Sequence, residues 1–161
     1  MGRINVDAWR STYTGLIDQA VLDSMTYEAY IQKWERHLRS EVPKRFMLVA
    51  EVDAEVVGYA SGGPNRVSAL GFDSELYALY LKKEFQGKGI GNALFASGLR
   101  FLQQQGFRSM SLYVLASNTV GRKFYDRYNP DVRENAKTTI EGKDYCDFCY
   151  GWHSITSMLE Q

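Results

Sequence analysis

Glu75-Leu76-Tyr77-Ala78-Leu79-Tyr80-Leu81, with Gln86-Gly87-Lys88-Gly89-Ile90-Gly91-Asn92 shortly after it, decides the architecture of this chain. The first run is apolar or aromatic at almost every position, as in a central strand buried on both faces. The second is a glycine-rich turn. Beyond it Ile90, Leu94, Gly98, Phe101 and Leu102 keep a helical spacing to about Gln105, where Gly106 supplies a left-handed stop. In such a strand-turn-helix unit, backbone N–H groups and the positive end of the helix point into one place, which suits a phosphate. Glycine serves there because a side chain blocks close approach and because consecutive turn residues can need positive φ.

Downstream, Ser109-Met110-Ser111-Leu112-Tyr113-Val114 is a further predicted strand. Asn118 to about Tyr128 is a predicted helix with Val120, Phe124 and Tyr128 on one stripe, ended by Asn129-Pro130. Two strands, near Lys137 to Glu141 and Lys143 to Trp152, turn around Gly142. Upstream, Phe46 to Val52 and Val56 to Ala60 flank Asp53-Ala54-Glu55 as a hairpin. Before it the chain is helical: Val6, Trp9, Tyr13 and Leu16, then Tyr27, Tyr30, Ile31 and Trp34, mark two amphipathic helices. This order gives an α/β (α+β) fold with a mixed sheet, mostly antiparallel, with one parallel strand-helix-strand crossover in the middle. No repeat, low-complexity tract or linker divides the 161 residues, so residues 1–161 read as one domain.

Lys plus Arg and Asp plus Glu both number 19, leaving no net field to gather nucleic acid or an anionic membrane. The sequence has no apolar run of about 18 residues, and its start lacks the apolar core of a secretory signal. A cytoplasmic protein with a small-molecule or peptide partner is expected. Cys146 and Cys149 form a lone CxxC, but a separation of three in a predicted strand puts the sulfurs on opposite faces. With no second CxxC or His pair, they read as ordinary strand residues, and no metal site is expected.

The glycine loop lacks the Walker pattern, which needs G-x-x-x-x-G-K-[ST]. It also fails the dinucleotide pattern, because the third glycine counted from Gly87 falls on Asn92. A plain structural turn remains open on spacing alone.

Gln86-x-x-Gly89-x-Gly91, preceded by Leu79-Tyr80-Leu81 and followed by a helix, resembles the Q/R-x-x-G-x-G/A pyrophosphate loop of the GNAT superfamily of N-acetyltransferases. Leu112 to Thr119, then Arg122-Lys123-Phe124-Tyr125, resembles that family's next strand and helix. The resemblance covers about residues 6 to 152 in element order and is strongest over 75 to 128. It implies acetyl-CoA as co-substrate and acetyl transfer to a primary amine of a small molecule or peptide by direct attack in a ternary complex. A non-catalytic acyl-CoA-binding or sensing module of the same fold is the alternative. By the same resemblance, Gln86, Gly87, Lys88, Gly89, Ile90, Gly91 and Asn92 bind pyrophosphate, and Leu79, Tyr80 and Leu81 bind pantetheine through main chain. Asn118, also a plausible N-cap, contacts the cofactor. Tyr125 matches the tyrosine that protonates the coenzyme A thiolate; from composition alone it is equally a space-filling core residue. Glu75 is the candidate base, with Glu35, Asp73 or an amine arriving neutral as alternatives. Trp34, Tyr77 and Tyr27 are candidate acceptor-pocket aromatics, and Lys88 and Arg122 candidate phosphate neighbours.

The chain departs from the family at its start, where only Arg3-Ile4-Asn5-Val6 remains to make the usual first strand. That strand is expected to be reduced or absent, leaving Phe46 to Val52 as an edge that a second subunit, in a homodimer, or the terminal segment His153 to Gln161 covers. Asn129-Pro130-Asp131 replaces the family's usual Gly-Phe after Tyr128.

Overall fold

The computed structural model describes residues 1–39, 42–67 and 70–160. Three helices, α1 (Gly2–Tyr13), α2 (Gln19–Ser24) and α3 (Tyr27–Arg39), precede the hairpin β1 (Phe46–Val52) and β2 (Glu55–Pro64). Then come β3 (Ser74–Leu81), α4 (Ile90–Gln104), β4 (Met110–Leu115), α5 (Thr119–Asp126), the hairpin β5 (Val132–Ile140) and β6 (Lys143–Trp152), and α6 (Ile155–Leu159). Three expectations change, the first being that β2 continues past Ala60 to Pro64, where Gly62, Gly63 and Pro64 pair with β3. The short helix α2 stands where no third helix was read; Asp18 caps it, accepting from the Ala20 N–H at 3.0 Å. β5 starts at Val132, earlier than expected, because every residue from Val132 to Ile140 has a partner on β6.

The sheet order is β1-β2-β3-β4-β6-β5, antiparallel except for the parallel pair β3 and β4. One face carries the larger core, where Phe95, Leu99 and Leu102 of α4 and Ile155 and Met158 of α6 meet Leu76, Leu112, Tyr150 and Trp152. On the other face Val6, Ile17, Val21, Leu22 and Met25 close over Leu115. No helix among the described residues is long and apolar enough to cross a membrane.

Residues 3–6, expected at most as a vestigial strand, are helical, so β1 ends the sheet. The C-terminal segment adds no strand to that edge: residues 155–159 form α6 against α4, the Ile155 N–H donating to the Arg108 carbonyl at 2.8 Å, and Gln161 lies outside the described residues. Cys146 is exposed and Cys149 buried, both free thiols, as strand alternation requires. No cluster of three or more metal-ligating side chains occurs among the described residues.

The geometry of the site begins with a β-bulge. Ser61 pairs with Ala78 but Gly62 with Leu76, so Tyr77 is an extra residue in β3. The extra residue shifts the alternation: Leu76, Leu79 and Leu81 pack with the α4 core while Tyr80 contacts Tyr13 of α1. The bulge is pinned by the Tyr77 hydroxyl, which donates to the Pro64 carbonyl at 2.6 Å, and by the Arg66 guanidinium, 4.2 Å over the Tyr77 ring. Arg66 in turn donates through Nε and Nη2 to the two carboxylate oxygens of Glu75.

Opposite the bulge, Gly62 lets the buried Phe46 ring lie close, since a Cβ there would stand 2.6 Å from the ring and 2.8 Å from the Glu75 carbonyl. Gly62→Ala is therefore expected to destabilise the fold by about 1–3 kcal/mol through overpacking, measured as a lower urea midpoint with unchanged slope; an unchanged midpoint would contradict this packing.

Candidate active site

Parallel pairing of β3 with β4 lasts for two positions, Ser74 with Met110 and Glu75 with Ser111, and then the strands diverge. Between them opens a cavity of about 830 Å³. Residues 76–81 form one wall, Leu112, Tyr113 and Val114 the other, and Ser11, Tyr13 and Leu16 of the α1 region one side. The glycine loop and the start of α5 line it as well. On this side β3 has backbone groups without strand partners, and such groups seek hydrogen bonds from whatever occupies the gap.

The loop is built as a cradle. Gly87 and Gly89 have φ of +74° and +83°, values that L side chains rarely adopt, and the space where a Cβ would stand is open. Gly89 is the N-cap of α4 and no side chain caps the helix, so the first-turn N–H groups stay available to an anion. Gly91 serves packing instead, since a Cβ there would lie 3.3 Å from Leu81 and 3.4 Å from Phe124. The Gln86 amide donates to the Leu81 carbonyl at 3.3 Å, tying the loop to the end of β3. Asn92 accepts from Arg127 at 3.2 Å and from the Tyr128 hydroxyl at 3.4 Å, tying α4 to the C-terminal end of α5. Asn118 caps α5, its Oδ1 accepting from the Gly121 N–H at 2.9 Å.

Leu79, Tyr80, Leu81, Gln86, Gly87, Gly89, Gly91, Asn92, Asn118 and Tyr125 all line the cavity. Lys88 and Ile90 do not: Lys88 lies over the Phe85 ring at 5.2 Å, and Ile90 packs on the core. Arg122 is engaged structurally, donating to the Ala116 carbonyl at 2.9 Å and covering Phe148. Tyr125 has its ring against Phe95, Phe124 and Tyr150, and burial raises its phenol well above the usual tyrosine value. Burial therefore keeps the phenol protonated at neutral pH.

Glu75 is almost fully buried, does not line the cavity, and has both carboxylate oxygens engaged by Arg66. Glu35 is exposed, and the Asp73 carboxylate accepts from the Arg108 and Ser109 N–H groups at 2.9 Å, fixing the approach to β4. Of the three aromatics considered for an acceptor pocket, Tyr77 lines the cavity. Trp34 packs on Tyr59 and His37, and Tyr27 donates to Asp7 at 2.7 Å.

Sequence reasoning missed two groups that line the cavity and a buried carboxylate outside its lining. Tyr13 brings α1 to the cavity, its hydroxyl 3.0 Å from that of Tyr80. Tyr113 lines the far wall, its phenol pushed up to about 12 chiefly by burial and also by the neighbouring Cys149 thiol. Asp147 of β6 is 6% exposed, its Oδ1 is sealed without a partner, and burial raises its carboxyl to about 6. Tyr13 and Tyr113 look like ordinary core aromatics in sequence. Asp147 carries a signal only as a charge in an otherwise apolar or aromatic stretch of strand.

Residues 7–129 match the family model described as the acetyltransferase (GNAT) family. The chain is 34% identical over 158 residues to an uncharacterised N-acetyltransferase, YuaI, of Bacillus subtilis strain 168, covering 98% of this chain and 88% of that protein. Among solved structures, the PaiA N-acetyltransferase of Thermoplasma acidophilum, in complex with coenzyme A, superposes with a TM-score of 0.65 at 21% identity, over 94% of this chain and 90% of that one. A ribosomal-protein-alanine N-acetyltransferase of Brucella melitensis gives 0.69 at 22% identity, over 94% and 91%. With its diverging parallel strands, its glycine cradle and these matches, the chain belongs to the GNAT family of acetyltransferases and is an acetyl-CoA-dependent N-acetyltransferase.

Proposed function

We propose that residues 1–161 act as one catalytic domain that transfers the acetyl group of acetyl-CoA to a primary amine of a small molecule or peptide, by direct attack while both are bound, with Tyr125 as the proton donor. The observation that carries this reading is the position of Tyr125: its protonated phenol lines the cavity between the diverging strands, on the same helix that Asn118 caps. The cradle fits the co-substrate. Gly87, Gly89 and the uncapped start of α4 hold the pyrophosphate, and the unpaired edge of β3 at Leu79 to Leu81 meets the pantetheine amides as another strand would.

Acetyl-CoA supplies an activated carbonyl with a thiolate leaving group. The amine nitrogen bonds to the carbonyl carbon, the C–S bond breaks, and the Tyr125 proton goes to sulfur. A phenol raised by burial is a weaker acid than free tyrosine, so it stays protonated until a thiolate forms beside it. Glu75 is assigned no proton-accepting role here, because its carboxylate is committed to Arg66 and supports the bulge at Tyr77. The amine's proton leaves with solvent. The two free thiols and the absence of a membrane-crossing helix among the described residues fit a cytoplasmic reaction. The open edge of β1 suits pairing with a second copy; sedimentation at twice the chain mass would support this, and a single-chain mass at all concentrations would remove it.

Tyr125→Phe separates chemistry from binding. The variant is expected to keep the rise in melting temperature that acetyl-CoA gives the native protein, about 2.7 kcal/mol of stabilisation at a hundredfold Kd. Acetyl-CoA-dependent thiol release should fall by about 10²-fold or more. Native activity in the variant would remove Tyr125 as the acid, and no thermal shift in either protein would remove the cofactor site.

A further inference from the structure

Lys plus Arg and Asp plus Glu balance at 19 each over the whole chain, yet the described residues that line the cavity include three cations, Lys83, Lys123 and Arg127, and no carboxylate. A cleft lined by one sign of charge gathers the opposite sign. Lys83 also borders Asp7 and Glu84 in a smaller neighbouring cavity, so its charge is partly met within the protein. The other two are different. Asp126, next to Arg127 in sequence, pairs with Arg133 at 3.1 Å, and Lys123 joins no hydrogen bond or ion pair among the described residues.

Val120, Lys123, Phe124 and Arg127 follow one another at the three- and four-residue spacing that shares a helix face. That face looks toward the start of α4: a Cβ on Gly91 would stand 3.4 Å from the Phe124 ring, and Arg127 donates to the Asn92 side chain at 3.2 Å. The stripe therefore borders the glycine cradle. Tyr125 is two residues from each cation, about 200° around the helix, so the phenol and the two cations stand on different sides of α5. Val120 is 70% exposed, more than any other large apolar side chain described, and it too lines the cavity. An apolar side chain left bare beside two cations is a surface on which a flat, uncharged ring can rest while an anion attached to it meets the charges.

Coenzyme A has this combination at one end. Its three parts follow in a line, pantetheine, pyrophosphate and adenosine, and the ribose of the adenosine carries a separate phosphomonoester at its 3′ oxygen, with a charge of about −1.5 to −2 at pH 7. With pantetheine along residues 79–81 and the pyrophosphate at the cradle, the adenosine leaves the cradle away from β3. The α5 stripe is the neighbouring surface of matching chemistry. Resting on the cofactor placement proposed above, we infer that Val120, Lys123 and Arg127 form a subsite for the adenosine 3′-phosphate. The adenine lies on Val120, the phosphomonoester meets the Lys123 ammonium and the Arg127 guanidinium, and the protein thereby distinguishes coenzyme A from its 3′-dephospho form.

The test is calorimetric titration of the native protein and of Lys123→Met with coenzyme A and with 3′-dephospho-coenzyme A. Native protein should bind coenzyme A at least about tenfold more tightly, and the ratio should shrink as sodium chloride is raised. Lys123→Met should weaken coenzyme A by about fivefold or more and leave the dephospho form within about twofold; adding Arg127→Met should remove the remaining difference. Equal native affinities, or no weakening in Lys123→Met, would overturn the subsite. Equal weakening of both ligands would place Lys123 on the pyrophosphate instead and overturn it as well.

Val120→Ser tests the ring's seat. It should weaken both coenzyme A forms by about threefold and leave 4′-phosphopantetheine, which lacks the adenosine, unchanged. No loss, or an equal loss for 4′-phosphopantetheine, would contradict the placement. If neither form of coenzyme A binds native protein, the cofactor cradle itself falls, an outcome separate from failure of the α5 subsite.

Discussion

One extra residue in β3 sets the conditions for everything else in this fold. With Tyr77 bulged out of the pairing with β2, β3 bends and leaves β4 after two parallel pairs. A sheet that would otherwise close on its own hydrogen bonds is held open. The bulge does not stand alone: the Tyr77 hydroxyl is fixed to Pro64, and the Arg66–Glu75 pair packs over the ring. The same shift turns Leu79 and Leu81 toward the α4 core and Tyr80 toward α1. The two layers of helices thus grip opposite faces of a strand whose edge is free for a ligand.

The helices that flank the gap are placed by packing rather than by loop conformation alone. Gly91 lets α4 approach Leu81 and Phe124, and Asn92 is bonded to Arg127 and Tyr128. The Phe95 ring meets Phe124, Tyr125 and Tyr128 edge-on. The glycine cradle at the start of α4 and the phenol on α5 are therefore parts of one packed unit. Burial of the Tyr125 ring in that unit is also what raises its hydroxyl and keeps it protonated. Packing and the protonation of the phenol share a cause here, so a substitution that loosened the aromatic cluster would change both.

The sequence showed the element order, the glycine loop and the two strands around the gap, because those rest on local signals: apolar runs, positive-φ glycines and helical periodicity. Lys88 and Ile90 stood in the loop motif yet face away from the cavity, since neighbours in a turn point in different directions. Glu75 lay at the strand start where a base is sought, but its partner Arg66 belongs to a segment whose path no periodicity describes. Tyr13 was invisible as a site residue because α1 reaches the cavity from far along the chain. Whether a buried carboxylate is paired is a property of three-dimensional neighbours. The helical residues at 2–13 form α1, which delivers Tyr13 to the cavity.

The central claim, that the free edge of β3 and the glycine cradle together receive coenzyme A, is tested most directly by amide hydrogen exchange with and without coenzyme A. The account expects slowed exchange at residues 79–81, where β3 gains a partner, and at residues 87–92, where N–H groups meet phosphate. Protection confined to other segments, with exchange at 79–81 unchanged by saturating coenzyme A, would contradict it.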